Sequence, residues 1–293
     1  MTRLFSGKTG PVLVVVLAIF VIWYGAAIML NTPFQRDIYL RGDLTDVPVT
    51  RLVSDTLNQD RPVLPAPHQV VTEIYQTTVL KKITSKRSLV YHAGVTLSST
   101  LLGFLMGTVL GIFLAVLIVH SRVLDKSLMP WVISSQTIPI LAIAPMIIVV
   151  LNAVGISGLL PKAFISTYLS FFPVTVGMVT GLRSPEAIHL DLMRTYNASK
   201  SQTFWSLRFP YAVPYLFTSM KVAVAASLVG AIIGELPTGA VAGLGARLLA
   251  GSYYGQTVQI WSALIMAAVL AGSLVGIVGL VNAMVLKRMG MAR

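Results

Sequence analysis

The chain has 293 residues, of which 55% are hydrophobic and 11% charged, and its mean hydropathy is +0.80. A soluble domain carries about 25% charged residues, so this composition excludes an ordinary soluble fold and points to lipid as the solvent. A net charge of +12 on so apolar a chain reads as loops facing lipid headgroups rather than as a nucleic-acid footprint, and the absence of cysteine excludes disulfides, thiolate metal sites and Cys nucleophiles.

Six apolar stretches reach spanning length, at roughly 11–31, 93–119, 129–151, 159–182, 214–235 and 257–285. They do not alternate as barrel strands would, and lipid offers backbone groups no partners, so each is read as a helix. The fold class is an all-α integral membrane protein with about six transmembrane helices. The first stretch is longer than a signal-peptide core and is expected to be an uncleaved anchor. Gly7-Lys8-Thr9 resembles the end of a phosphate-binding loop, but the glycine needed five residues earlier is Thr2.

With the N-terminus inside, Arg3, Lys8, Arg122, Lys126, Arg183, Arg194, Lys200, Arg208, Lys287, Arg288 and Arg293 fall in inner loops. Only Lys162 and Arg247 fall in the short outer ones, a positive-inside bias. Segment 32–90, with Thr45, is then outside, and its basic run from Lys81 to Arg87 opposes that orientation. Residues 32–64 are polar and rich in turn formers. From Pro65 a helix is expected, with Val70, Ile74 and Thr78 on one face. It is either interfacial or an ordinary external helix.

In the second span Gly103, Gly107 and Gly111 share a face and allow another helix to approach. Pro139, Pro145 and Pro173 are placed to bend the third and fourth spans, either as simple kinks or beside a cavity. Candidate polar groups along a solute path are Gln136, Thr137, Thr167, Tyr168, Ser170 and Ser227. Each is equally able to make an interhelical hydrogen bond. Glu235 ends the fifth span with no charged neighbour in sequence. A carboxylate at that depth is costly and is either a path or gate group or a structural hydrogen-bonding one.

Between the fourth and fifth spans lies "LRSPEAIHLDLMRTYNASKSQTFWSLRFPYAVP". Ser184-Pro185 predicts a helix start, and Ile188, Leu192 and Tyr196 form an apolar stripe. Asn197 is suited to end that helix in the left-handed conformation. Ser199 to Gln202 predicts a capping box for a second helix, with Phe204 and Leu207 on one face and Pro210 as its stop. A short helix pair exposing aromatic groups to the cytoplasm fits a partner groove better than it fits lipid; a plain interfacial connector is the alternative.

This stretch resembles the cytoplasmic EAA loop of binding-protein-dependent ABC transporter permeases. The family pattern of Glu-Ala-Ala, glycine, a hydrophobic residue and Leu-Pro falls on Asp191-Leu192-Met193, Asn197, Leu207 and Phe209-Pro210 with its spacing kept. Asp stands for Glu, Leu-Met for Ala-Ala and Asn for Gly. "LSSTLLGFLMGTVLGI", "SFFPVTVGMVTGLRS", the "LPAP" before the helix at 66 and "ASKSQTFWSLRFPYAVPYLFTSMKVAVAASLVGAIIGE" are similar to the nitrate/sulfonate/taurine-type group, over roughly residues 62–290. Gly239, Gly243 and Gly245 resemble the flexible loop after that family's fifth helix.

The resemblance implies a type I ABC importer permease fold, with a core at 92–286 that contains the coupling loop 183–213. Ahead of it stand a tip and first helix at 1–31 and an external segment at 32–91; a cytoplasmic tail follows at 287–293. It further implies a second permease subunit, same chain or paralogue, and two cytoplasmic ATPase subunits that hold ATP and Mg. An extracytoplasmic binding protein would deliver the solute. The expected setting is the bacterial inner membrane, with both termini cytoplasmic and no cofactor in this chain. Coupling residues by this reading are Asp191, Leu192, Met193, Tyr196, Asn197, Phe204, Leu207 and Pro210. An ion-coupled secondary transporter is the alternative; it needs intramembrane carboxylates and repeats, and only Glu235 qualifies. Among the histidines no HExxH or other close ligand pair occurs, and there is no GxSxG elbow.

Overall fold

A computed structural model describes residues 9–44, 46–237 and 242–291. Arg3, Lys8, Thr45, Gly239 and Arg293 lie outside the described residues. The chain forms two compact units, one from residues 1–91 and 247–266, the other from 92–246 and 267–293. Among the described residues five helices are long and apolar enough to cross a membrane, or six if one bent pair counts as a span.

In the first unit, helix α1 (Thr9–Arg41) runs ten residues past the predicted end at residue 31. The extension is held by a polar stripe one turn apart. Asn31 donates to Leu64 O at 2.8 Å and accepts from Val63 N at 2.7 Å. Gln59 donates to Gln35 Oε1 at 2.7 Å, and Tyr39 OH donates to Asp55 Oδ2 at 2.6 Å on helix α2 (Val49–Leu57). Apolar periodicity alone misses this stripe, because its members are polar and buried. The expected helix after Pro65 is α3 (Pro67–Tyr75), extended by a π-turn at Gln76–Leu80. Val70 is buried, and Ile74 and Thr78 are half-buried. Trp23 donates to Pro65 O at 2.9 Å, and its ring lies 4.9 Å from that of Trp261, tilted by 40°. Arg247 reaches Glu73 at 3.7 Å. Burial pulls the Arg247 guanidinium down from its ordinary pKa, and Glu73 acts in the opposite sense.

The second unit is built around helix α7. Its elements are α4 (Leu89–His120), α5 (Arg122–Ser135), α6 (Ile140–Ala153) and α7 (Leu159–Arg183). Then come α8 (Ala187–Thr195), α9 (Lys200–Thr203), a π-turn at Phe204–Arg208 and α10 (Phe209–Gly234), while α11 (Leu244–Tyr253) and α12 (Thr257–Arg288) contribute residues to both units.

The third predicted span is not one helix. Helices α5 and α6 meet at a bend of 100°. Pro139 caps α6 in extended backbone, at φ −63° and ψ 116°. Gln136 to Pro139 therefore form a corner, because the residue before proline avoids the helical region and proline offers no N–H to continue the ladder. Pro145 and Pro173, by contrast, sit inside continuous helices.

The glycine stripe of α4 packs on α7. A Cβ added at Gly103 would lie 2.7 Å from Ala163 O, and one at Gly107 2.1 Å from Ser170 Oγ. On its other side α7 meets α10 through Gly177 and Gly181, where a Cβ would fall 2.5 Å from Ser219 Cβ and 2.8 Å from Ala212 Cα. Small residues on both faces let α7 lie between two helices at backbone contact, the packing mode that substitutes for a hydrophobic driving force in lipid.

Candidate coupling surface and buried carboxylate

The loop after α7 folds as a helix pair, with three departures from the sequence reading. The first helix begins at Ala187 rather than Pro185. Glu186 is its N-cap in extended backbone, while Ser184 Oγ turns back to Gly181 O at 2.8 Å and closes α7. Helix α8 then presents Ile188, Leu192 and Tyr196 outward, at 69%, 52% and 78% exposure. Asp191 on the same helix pairs with Arg194 at 2.8 Å.

Asn197 has φ 53°, the left-handed position. Asn197 N donates to Arg194 O at 2.8 Å and Ala198 N to Met193 O at 2.9 Å. These two bonds form a Schellman motif, with Asn where glycine is usual. The capping box follows: Gln202 N donates to Ser199 Oγ at 3.2 Å, and Ser199 N to Gln202 Oε1 at 2.8 Å.

The second departure concerns Phe204 and Leu207. Both are buried within this chain, and Phe204 packs with Ala115, Ile118, Met178 and Ala212. Trp205, which the sequence reading passed over, is 62% exposed, with its ring 5.3 Å from Phe209. The widened turn at Phe204–Arg208 rotates the register, so the side chain beside the predicted one faces out. Third, Pro210 does not stop the helix. It lies in the first turn of α10, where a missing N–H is tolerated after the π-turn, and the helical run continues to Gly234.

The expected path residues are distributed differently. Thr167 Oγ1 donates to Ala163 O at 2.8 Å and approaches Gly103 O at 3.2 Å, where Ser170 Oγ also donates at 3.2 Å. Ser227 Oγ donates to Thr100 O at 2.8 Å, and Tyr168 OH donates to Ser135 O. These four hydroxyls tie helices together. Gln136 and Thr137 alone of the six are exposed, at the corner between α5 and α6. An apolar groove of about 1040 Å³ lies between α4, α6 and α7, lined by Leu105, Val109, Met146, Val150, Phe164 and Phe171 among others.

Glu235 has partners that its sequence neighbours do not reveal. It is fully buried at the C-cap of α10. Thr96 Oγ1 lies 3.0 Å from each carboxylate oxygen, and Lys162 Nζ stands 4.0 Å from Oε1. Three successive amides at the start of α11 turn toward this cluster. Gly243 N donates to His92 Nδ1 at 3.0 Å, Leu244 N to Thr96 Oγ1 at 2.8 Å and Gly245 N to Glu235 Oε2 at 2.8 Å. The N-terminus of α11 is thus capped by side chains from α4 and by the carboxylate that ends α10.

Gly243 has φ +128°, and a Cβ there would fall 2.2 Å from Glu235 Cδ. At Gly245 it would meet Ile232 O at 2.3 Å. The glycines expected to form a flexible loop therefore include two that fit closely around an anion, the chain's own carboxylate. Among the described residues no three His, Asp or Glu side chains converge as metal ligands.

The model of the family described as the binding-protein-dependent transport system inner membrane component matches residues 107–291. The chain is similar to a probable ABC transporter permease protein of Haemophilus influenzae, 30% identical over 69% of this chain and 78% of that protein. It is also similar to the formylaminopyrimidine transport permease protein ThiX of Halalkalibacterium halodurans, 32% identical over 62% of this chain and 68% of that protein. The nitrate import permease protein NrtB of a Synechocystis species is 27% identical over 74% of this chain and 75% of that protein.

Proposed function

This chain belongs to the family of binding-protein-dependent transport system inner membrane components, and on that premise we propose how its parts divide the work. It is the multi-pass, non-catalytic permease subunit of an ABC importer for a small solute, and its ATPase is a separate partner. Two permease subunits, of this chain or of this chain and a paralogue, enclose the pathway in a bacterial inner membrane. Both termini face the cytoplasm. A binding protein delivers the solute from outside, and two ATPase subunits holding ATP and Mg close beneath the pair.

The observation that carries the coupling assignment is the exposed stripe Ile188, Leu192 and Tyr196, set on a helix whose end is fixed by the Asn197 turn. An apolar helix face of this kind is the form that enters a partner's groove. The second helix is tied to the membrane part of the chain. Phe204 and Leu207 anchor the second helix in the core, and the helical run from Lys200 to Gly234 passes directly into a span. Force applied to α8 would pass to α10 through the hydrogen-bonded Asn197 turn and the Ser199 capping box. Arg183 holds Asp125 at 2.9 Å and joins the end of α7 to α5, which extends the same rigid base.

The transported species is a small organic solute. Of the candidate path residues, Gln136 and Thr137 are the exposed ones, and both are uncharged polar groups that suit a neutral solute. The relative named for formylaminopyrimidine transport agrees with that class. The test is ATP-driven uptake of candidate solutes by the complex of permease, ATPase and binding protein, with Tyr196→Ala uncoupling hydrolysis from uptake. An ion-coupled secondary transporter fits less well, because Glu235 is committed to the start of α11 rather than to an open relay.

A further inference from the structure

A polar pocket of about 370 Å³ sits where the apolar part of two spans ends. His120 closes α4, Arg194 lies in the last turn of α8, Lys200 opens α9, and Arg208 ends the π-turn before α10. Val119 and Leu190 supply apolar wall between them. Both α4 and the run from Lys200 to Gly234 are candidate spans, so their junction lies at headgroup depth. Trp205, exposed on the same run, is the amphipathic aromatic that favours that depth.

The charges here are poorly balanced. Among the described residues, Asp191 is the carboxylate that meets the group, and it pairs with Arg194. That pair is solvent-exposed, at 80% and 65%, and such pairs hold weakly. Arg208 gives one N–H to Leu182 O at 3.0 Å and keeps its others. His120 Nδ1 donates to the carbonyl of Val116 at 2.8 Å, which fixes the ring at the pocket wall. Two guanidinium groups and an ammonium around a half-open pocket match the oxygens of a phosphate, and the position matches a phosphate that comes with acyl chains.

We propose that the pocket formed by His120, Arg194, Lys200 and Arg208 binds the phosphate of an anionic membrane lipid. The site stands at one end of the spans and does not depend on which leaflet that end faces. The acyl chains would run along the exposed apolar face of the neighbouring spans, which a free anion cannot use.

The test is titration of the purified full chain in neutral detergent with phosphatidylglycerol, phosphatidylcholine or inorganic phosphate, with bound lipid counted by native mass spectrometry. Wild type retains phosphatidylglycerol over phosphatidylcholine. Removing a cation near a membrane surface weakens lipid binding about five-fold, so Arg194→Gln with Lys200→Gln weakens it about 30-fold. Lys81→Gln with Lys82→Gln removes the same charge from exposed positions elsewhere and leaves retention near wild type. Equal loss in both pairs, unchanged retention in the first pair, or no preference in wild type overturns the proposal. Displacement of the lipid by inorganic phosphate alone overturns the lipid assignment in favour of a free anion.

Discussion

Thr96 Oγ1 accepts the backbone N–H of Leu244 at 2.8 Å while standing 3.0 Å from both oxygens of the Glu235 carboxylate. One hydroxyl on α4 thereby joins the end of α10 to the start of α11. Glu235→Ala removes the acceptor of Gly245 N and leaves Lys162 without its carboxylate, with the Ala242 carbonyl at 3.4 Å as its remaining partner. A buried donor left unpaired costs about 1–3 kcal/mol, and breaking a buried charge pair about 3–5 kcal/mol. Glu235→Ala is therefore expected to lower the thermal midpoint in detergent by several degrees, with Thr96→Val giving a smaller loss. Glu235→Gln keeps an acceptor oxygen for Gly245 and retains more stability than the alanine variant. A path group would behave differently, with stability intact and transport lost in all three variants.

The glycine faces of α4 and α7 make a packing prediction with an internal control. Gly107→Ala places a Cβ against Ser170 Oγ and 3.1 Å from Phe171 N, so backbone must move. Overpacking of this kind costs about 1–3 kcal/mol. Gly276→Ala on α12 meets nothing within 4 Å. The first variant loses thermal stability and the second does not; equal behaviour of the two would contradict the close α4–α7 approach.

The coupling loop separates two aromatic roles. Phe204→Ala opens a hole in the core beside Met178 and Ile118, and truncating a buried phenylalanine costs about 3–5 kcal/mol. Its defect appears as loss of folded permease. Tyr196→Ala and Trp205→Ala leave exposed positions, so the permease inserts and folds as wild type. Tyr196→Ala is expected to weaken ATPase co-purification, since an interface anchor contributes about 2 kcal/mol or more. Normal assembly and uptake in the Tyr196 variant would remove α8 from the interface.

Orientation is open to labelling, because the chain has no cysteine. Ser201→Cys in α9 and Thr84→Cys before α4 are both exposed. A membrane-impermeant thiol reagent on intact cells is expected to label the second and spare the first. The reverse pattern would invert the proposed topology.

How much of this was legible in the sequence depends on what each residue answers to. The lipid-facing spans were legible because burial in hydrocarbon demands long apolar runs. The Asn197 turn and the Ser199 capping box were legible because backbone geometry there is set by neighbours a few residues away. The corner at Gln136 to Pro139 was not, since the same apolar run satisfies one helix or two. Phe204 was misplaced because a π-turn shifts the register by a fraction of a turn, and nothing in a 3.6-residue period announces it. The Glu235 cluster draws on Thr96, Lys162 and Gly245, and Thr96 lies 139 residues away, so no local pattern connects them. The pairing of Gly243 and Gly245 after a buried acid was the one available hint.

On the reading proposed above, this chain is the passive half of an ATP-driven pathway. The most direct test is solute uptake into proteoliposomes holding the purified chain, alone or with its ATPase, binding protein and ATP on the cytoplasmic side. Uptake is expected only with the complete set and ATP, and an imposed pH gradient is not expected to replace it. Accumulation by this chain alone under a pH gradient, without ATP, would contradict the account and make it a secondary transporter.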